Sequence, residues 1–259
     1  MTSRLNSLAD AAPRLTATVM LLRDGDAGLE VLLLKRHLRS DVHGGVHVFP
    51  GGKVDETDAM AAATRFGDGV SLLAGFASAA LTPARAAILY TAALRELQEE
   101  CNVCIEDVSV MHPHSRWITP ALSTSSKRFD TWFFVALLPH GAVACHDDYE
   151  AVESIWLRPR DAIGMFRDGA IQLAPPQIMS LAALSHQVSA RAALDSARSC
   201  RPPLIQPEHV GTETQRIIAF PGDIAHSVST PALTGPTRLV LRNERYEPED
   251  GFDALLGRG

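Results

Sequence analysis

Three glutamates, Glu96, Glu99 and Glu100, crowd into the segment Leu94-Arg95-Glu96-Leu97-Gln98-Glu99-Glu100-Cys101. On a helix turning ~100° per residue, Glu99 and Glu100 lie about −60° and +40° around the axis from Glu96, so the three acids share one sector. Like charges ~5 Å apart repel by roughly 3 kcal/mol at an effective dielectric near 20. A position close to a helix C-terminus adds roughly 0.3 to 1 kcal/mol of unfavourable dipole interaction per acid. Arg95 reaches Glu99 at the i, i+4 spacing, but a single arginine does not balance the set. A hard divalent cation would, and magnesium or manganese takes such oxygen ligands while keeping water in its remaining positions. The chemistry indicated is the binding of a divalent cation. The alternative at this stage is a solvated acidic helix face.

The elements that must hold these acids are legible on both sides. Tyr90, Leu94, Leu97 and Cys101 follow a 4, 3, 4 spacing and lie opposite the carboxylates, giving an amphipathic helix. Thr82-Pro83 supplies its cap and first helical residue, so the helix is expected to run to about Cys101. Upstream, Thr16–Arg23 and Glu30–Arg36 read as two strands joined by the turn at Asp24–Gly28. A short run, Val46–Phe49, leads into Pro50-Gly51-Gly52, where glycine permits backbone geometry closed to other residues. Residues 55–81 are alanine- and glycine-rich, with one helix expected at Val70–Ala80. Downstream, strands are expected at Val108–His112, Arg128–Leu138 and Val152–Leu157, then a helix at Pro159–Asp168 and a long helix over Gln177–Ser199. After the proline break at 202–203, Arg216–Phe220 and Thr237–Arg242 read as strands.

Composition narrows the class. The chain has 259 residues, 46% hydrophobic and 21% charged, which suits a globular protein and excludes disordered and collagen-like chains. Twenty-four Lys and Arg against 30 Asp and Glu leave a net charge of −6, which argues against a nucleic-acid partner. No apolar run approaches the ~20 residues of a membrane span. Met1–Arg14 lacks a basic segment leading into an apolar run, so a cytoplasmic location is expected. Four cysteines in a chain of this length do not form a disulfide framework. Cys101 and Cys104 form a CxxC with no second pair to complete a zinc site, and are read as structural thiols. His112 and His114 flank a proline and are read as turn residues.

The glycine turn and the acidic segment together resemble the Nudix hydrolases. That family's pattern runs Gly, five residues, Glu, seven residues, Arg-Glu-U-x-Glu-Glu-x-Gly-U, where U is apolar. Gly52 fits its beginning and Arg95-Glu96-Leu97-Gln98-Glu99-Glu100-Cys101-Asn102-Val103 fits its end. Arg95 follows Gly52 by 43 positions where the pattern has 14, an excess of 29 residues. Counting forward from Gly52 puts Asp58 at the first glutamate position, whereas counting back from Arg95 puts Ala87 there. Asn102 replaces the late glycine and is the next best residue for a left-handed helix end. The long insertion, with Leu32–Arg36, Gly45, Val48–Gly52, Trp117-Ile118-Thr119-Pro120 and Arg128-Phe129-Asp130-Thr131, is similar to the coenzyme A diphosphatase-related branch.

The resemblance implies an α/β fold, a Nudix-type α/β/α sandwich with a mixed central sheet over 14–170. Within it lies an insertion at about 57–83, followed by a helix and strand extension at 171–259. It implies a Mg2+- or Mn2+-dependent pyrophosphohydrolase whose partner is a small nucleoside diphosphate derivative, coenzyme A or acyl-coenzyme A ahead of ADP-ribose and dinucleotides. Glu96, Glu99 and Glu100 are implied as metal ligands together with the Gly51 carbonyl, Arg95 as the group orienting a glutamate, and Glu96 or another carboxylate as proton acceptor. A further acid is sought at Glu150 or Glu153, and substrate phosphates at Arg36 and Arg128. A homodimer is left open. The rival reading is a Nudix-fold module that senses nucleotides without cleaving them.

Overall fold

The structure, a computed structural model, describes residues 12–37, 44–76, 81–120, 127–146, 151–212 and 215–257. These form two compact units, a larger one of 16–114 and 132–202 and a smaller one of 12–15, 115–131 and 203–257. The strands running through the Nudix-like part are β1 (Arg14–Gly25), β2 (Gly28–Arg36), β3 (His47–Val48), β4 (Gly51–Lys53), β5 (Met111–Ile118), β6 (Phe129–Leu137) and β7 (Ala151–Leu157). The helices are α1 (Glu56–Phe66), α2 (Val70–Phe76), α3 (Pro83–Cys101), α4 (Pro159–Arg167), α5 (Pro175–Leu184) and α6 (Ala190–Ser199).

In the larger unit the strand order is β3-β2-β1-β6-β5, with β7 on the other edge of β2. The β1–β2 hairpin is paired only from Gly25↔Gly28 to Leu22↔Val31. Beyond that point the partners change: β2 takes β3 at Leu34↔Val48, and β1 takes β4 at Thr18↔Gly51 and Thr16↔Lys53. The hairpin therefore splays, and residues 47–53 are wedged between its arms. The Pro50 carbonyl accepts the Val19 amide at 2.8 Å. The glycines read from the sequence as a loop edge are thus a short strand stitched into the sheet.

α3 matches its expected span because both ends carry local stop signals. Thr82 accepts the Arg85 amide through its hydroxyl at 3.2 Å, with Pro83 as the first helical residue. Asn102 closes the helix at φ 54°, ψ 34°, where its amide donates to Gln98 and that of Val103 to Leu97, each at 3.1 Å. Tyr90, Leu94, Leu97 and Cys101 are all buried, as their spacing predicts.

Three expectations are corrected. The insertion holds two helices, α1 and α2, rather than one over Val70–Ala80, whose last residues 77–80 lie outside the described set. α1 starts where the Asp55 amide donates to Asp58 at 2.8 Å, and ends on Arg65, a charge order that suits the helix dipole. The helix expected over Gln177–Ser199 is broken: α5 stops at Leu184, and Ser189 starts α6 by accepting the Ala192 amide at 3.1 Å. The strand expected at Val108–His112 begins only at Met111. Asp107 accepts the Ser109 amide at 2.8 Å and winds Val108–Val110 into a single 3-10 turn. His112, Pro113 and His114 consequently lie in β5, not in a turn.

α1 and α2 pack on α3. Phe66 meets the Tyr90 ring edge-on at 6.2 Å, and Phe76 meets Tyr90, Trp132 and Phe134 at 5.8, 4.8 and 5.9 Å. Phe76 is fully buried, which contributes about 1.5–3 kcal/mol.

In the smaller unit, β8 (Leu204–Ile205) runs parallel to β5 at Arg116↔Leu204 and Trp117↔Ile205. A separate antiparallel sheet has the order β12-β11-β10-β9, from β9 (Glu208–Gly211), β10 (Arg216–Ala219), β11 (Arg238–Arg242) and β12 (Arg245–Pro248), followed by α7 (Gly251–Leu255). The strands expected at 216–220 and 237–242 are present; β9, β12 and α7 were not foreseen. Antiparallel and parallel pairs together with the packed helices give the mixed α/β class expected. Among the described residues no helix is long and apolar enough to cross a membrane.

Candidate active site

The wedge strand and the last turns of α3 meet at two glycines. The Gly51 amide donates to Glu100 Oε2 at 2.8 Å. A Cβ at Gly51 would strike the Ala17 carbonyl oxygen at 2.4 Å, and one at Gly52 would fall 2.5 Å from Glu96 Oε1. The obstacle at Gly51 is the backbone of β1 and at Gly52 the tip of Glu96, so glycine lets the turn fit between strand and helix. Glu96 and Glu100 are buried against this turn, whereas the Glu99 side chain is 57% exposed. The shared sector read from helical spacing is thus divided between two acids facing the strand and one facing outward.

Arg95 joins the two sets. Its Nε and Nη2 donate to both oxygens of Asp58 at 2.9 and 3.0 Å, Nη1 donates to Glu96 at 2.9 Å and to Glu99 at 2.8 Å, and Nη2 also donates to the Lys53 carbonyl at 2.8 Å. The hydrogen bonds that Arg95 donates to Asp58 are the largest cause of a guanidinium held above its ordinary range; partial burial opposes them, and the charge of Glu96 and the bond to Glu99 reinforce them. A planar fork is needed to serve so many acceptors at once, which lysine lacks.

The forward count from Gly52 lands on a side chain bonded to Arg95, and the backward count does not. Asp58, the residue six positions after Gly52, is 1% exposed and holds Arg95 bidentately, whereas Ala87 is a buried apolar residue of α3. Sequence reasoning named Asp58 only as a position, without its link to Arg95. The signal available was the forward spacing from Gly52, reinforced by the acid–x–x–acid start of α1.

The donor set suits a divalent cation. One guanidinium faces Asp58, Glu96 and Glu99, Glu100 adds a fourth carboxylate, and all available donors are hard oxygens. Among the described residues no three His, Cys, Asp or Glu side chains already form a closed ligand cage. Ion binding at Glu96, Glu99 and Glu100 therefore calls for side-chain rotation about this turn.

The remaining candidates make other contacts. Glu153 lies on β7 with its carboxylate 3.7 Å from Lys35 Nζ, and Glu150 lies outside the described residues. Arg36 ends β2, half-buried, with its amide donating to Val46 at 3.1 Å. Arg128 belongs to the smaller unit, where its Nη2 is 3.4 Å from the Thr119 carbonyl.

Comparison with known proteins finds similar sequences and folds. The sequence model of the NUDT19 Nudix domain matches residues 92–184. Acyl-coenzyme A diphosphatase NUDT19 of Xenopus laevis is 27% identical over 155 residues, covering 56% of this chain and 39% of that protein. The Homo sapiens protein of the same name is 34% identical over 86 residues, 33% of this chain and 23% of that protein. The chain thus spans well under half the length of these relatives. Among solved structures, a NUDIX hydrolase from Alicyclobacillus acidocaldarius superposes with a TM-score of 0.59 at 25% identity, covering 72% of this chain and 97% of that one. With its split glycine-to-glutamate pattern brought together at Arg95, the chain is similar to the Nudix proteins, and over residues 92–184 it matches their NUDT19 domain.

Proposed function

We propose that the protein is a Mg2+- or Mn2+-dependent pyrophosphohydrolase that cleaves a nucleoside diphosphate linked to another group, with coenzyme A or acyl-coenzyme A as substrate. The observation that carries this reading is the Arg95 centre at the Gly51–Gly52 turn, with more carboxylate charge than one guanidinium offsets. The substrate class rests on the relatives named as acyl-coenzyme A diphosphatases and on the matching NUDT19 Nudix domain.

Glu96, Glu99 and Glu100 would hold the ions, with the Gly51 carbonyl completing the set. Bound divalent ions neutralise charge developing on phosphoryl oxygens and lower the pKa of water to near neutrality. Arg95 keeps Glu96 and Glu99 beside one another through hydrogen bonds of 2.9 and 2.8 Å, which confines the rotation that brings them onto an ion. Glu96, buried against Gly52, is the carboxylate assigned to accept the proton of the attacking water.

The test is a product screen of the purified protein with Mg2+ and with Mn2+ against coenzyme A, acyl-coenzyme A, ADP-ribose, NADH and diadenosine polyphosphates. Cleavage of the coenzyme A compounds to two phosphorylated products supports the assignment. Preference for ADP-ribose or a dinucleotide overturns the substrate, and binding without turnover of any compound overturns the enzyme in favour of a sensor.

A further inference from the structure

The insertion does more than lengthen the chain between the halves of the pattern, because it carries Asp58 on a helix that must lie at a fixed height along α3. α1 runs antiparallel to α3: Asp58 meets Arg95 at one end and Phe66 meets Tyr90 toward the other. At its far end α1 has a polar anchor. Arg65 Nη2 donates to the Ile105 carbonyl at 2.6 Å and to the Glu106 carbonyl at 3.2 Å, both in the segment that leaves the C-terminus of α3. Apolar contacts such as Phe66 on Tyr90 allow a helix to slide by a fraction of an ångström, whereas a guanidinium shared by two carbonyls fixes its axial position.

We propose that Arg65 is a positioning residue for hydrolysis: by tying the C-terminal turn of α1 to Ile105 and Glu106, it sets where Asp58 meets Arg95, and through Arg95 the orientation of Glu96 and Glu99. The inference rests on the reading of the Arg95 centre as a metal-dependent hydrolytic site. Arg65 touches none of the site acids itself, and its effect travels along α1.

The experiment is a double-mutant cycle of Arg65→Met and Asp58→Asn, read by Mn2+ affinity from electron paramagnetic resonance of free ion and by kcat, with Tm recorded for every variant. Arg65→Met is expected to weaken Mn2+ binding and lower kcat by about tenfold, the size of one charge-assisted hydrogen bond. Arg65→Lys, which keeps a donor for one carbonyl, is expected to restore part of both. The double variant is expected to be no worse than Asp58→Asn alone, since Arg65 acts through Asp58. Losses that multiply in the double variant, or a Tm drop with unchanged Mn2+ affinity and kcat, overturn the proposal and leave the hydrolase reading standing. A wild-type protein that binds no Mn2+ overturns both. If Arg65→Met does not fold, the Arg65→Lys pair decides by the same criteria.

Discussion

Replacing Asp58 by Asn isolates the contact on which the split pattern converges. The side chain is 1% exposed and supplies both oxygens to Arg95, and it also accepts the Asp55 amide that starts α1. Breaking a buried ion pair from one side costs about 3–5 kcal/mol in general. Here the guanidinium side chain is 21% exposed and keeps Glu96, Glu99 and the Lys53 carbonyl, which lowers the expected loss to about 2–3 kcal/mol. For a chain of this size that is a fall in Tm of about 4–12 °C. The asparagine amide also presents a donor to a donor, so the guanidinium tilts away from Asp58 and takes Glu96 and Glu99 with it. Misplacement of reacting groups by ~1 Å costs about 10²-fold in rate. Turnover of coenzyme A by the Asn variant, followed by chromatography of the two products, should fall by that factor. Asp58→Glu, which restores the residue of the family pattern, should keep the charge and lose less than tenfold. Full turnover by Asp58→Asn at unchanged Tm would refute the assignment of Asp58 to the first acidic position.

Three further outcomes follow from single contacts. Glu99→Gln removes an anionic ligand from an exposed position at nearly constant volume, so turnover should fall by roughly 10²-fold or more with Tm within about 1 °C; unchanged kcat removes Glu99 from the ligand set. Gly52→Ala places a methyl 2.5 Å from Glu96 Oε1, and because a side-chain tip can rotate away the fold should survive while kcat drops by about 10²-fold; circular dichroism and kinetics on one preparation separate the two effects. In the smaller unit, Arg238 beside Asp223, with the Thr237 hydroxyl and Ala225 amide, holds that carboxyl down to about 2. A depressed acid contributes stability above its unfolded pKa near 3.9 and loses it as pH falls toward 2, here about 2 kcal/mol. Asp223→Asn should therefore lower Tm at pH 7 and make no difference near pH 2; an equal deficit at both values contradicts the linkage.

Local signals carried the acidic helix α3, and contacts made across the fold carried what the sequence concealed. Thr82, Pro83 and Asn102 act within a turn of the ends they define, so α3 was legible to the residue, as was its buried face. The break between α5 and α6 was missed because alanine-rich sequence on both sides supports helix, and only the Ser189 hydroxyl, capping Ala192, marks a new start. Glu153 illustrates the opposite case. Its neighbours in sequence say nothing of Lys35, which it meets only because β7 pairs with β2 in the register Lys35↔Glu153. Asp58 stands between these extremes, since its count from Gly52 was readable but its meaning required α1 to fold back along α3. The resulting arrangement tolerates a long insertion inside a catalytic pattern for a physical reason: the pattern's acid need not be near Arg95 in sequence so long as a rigid helix delivers it there. Insertions that keep an acid at Gly52 plus six in the first turn of a helix, and an anchor at the helix's far end, should preserve the site, whereas those that interrupt α1 between Asp58 and Arg65 should not.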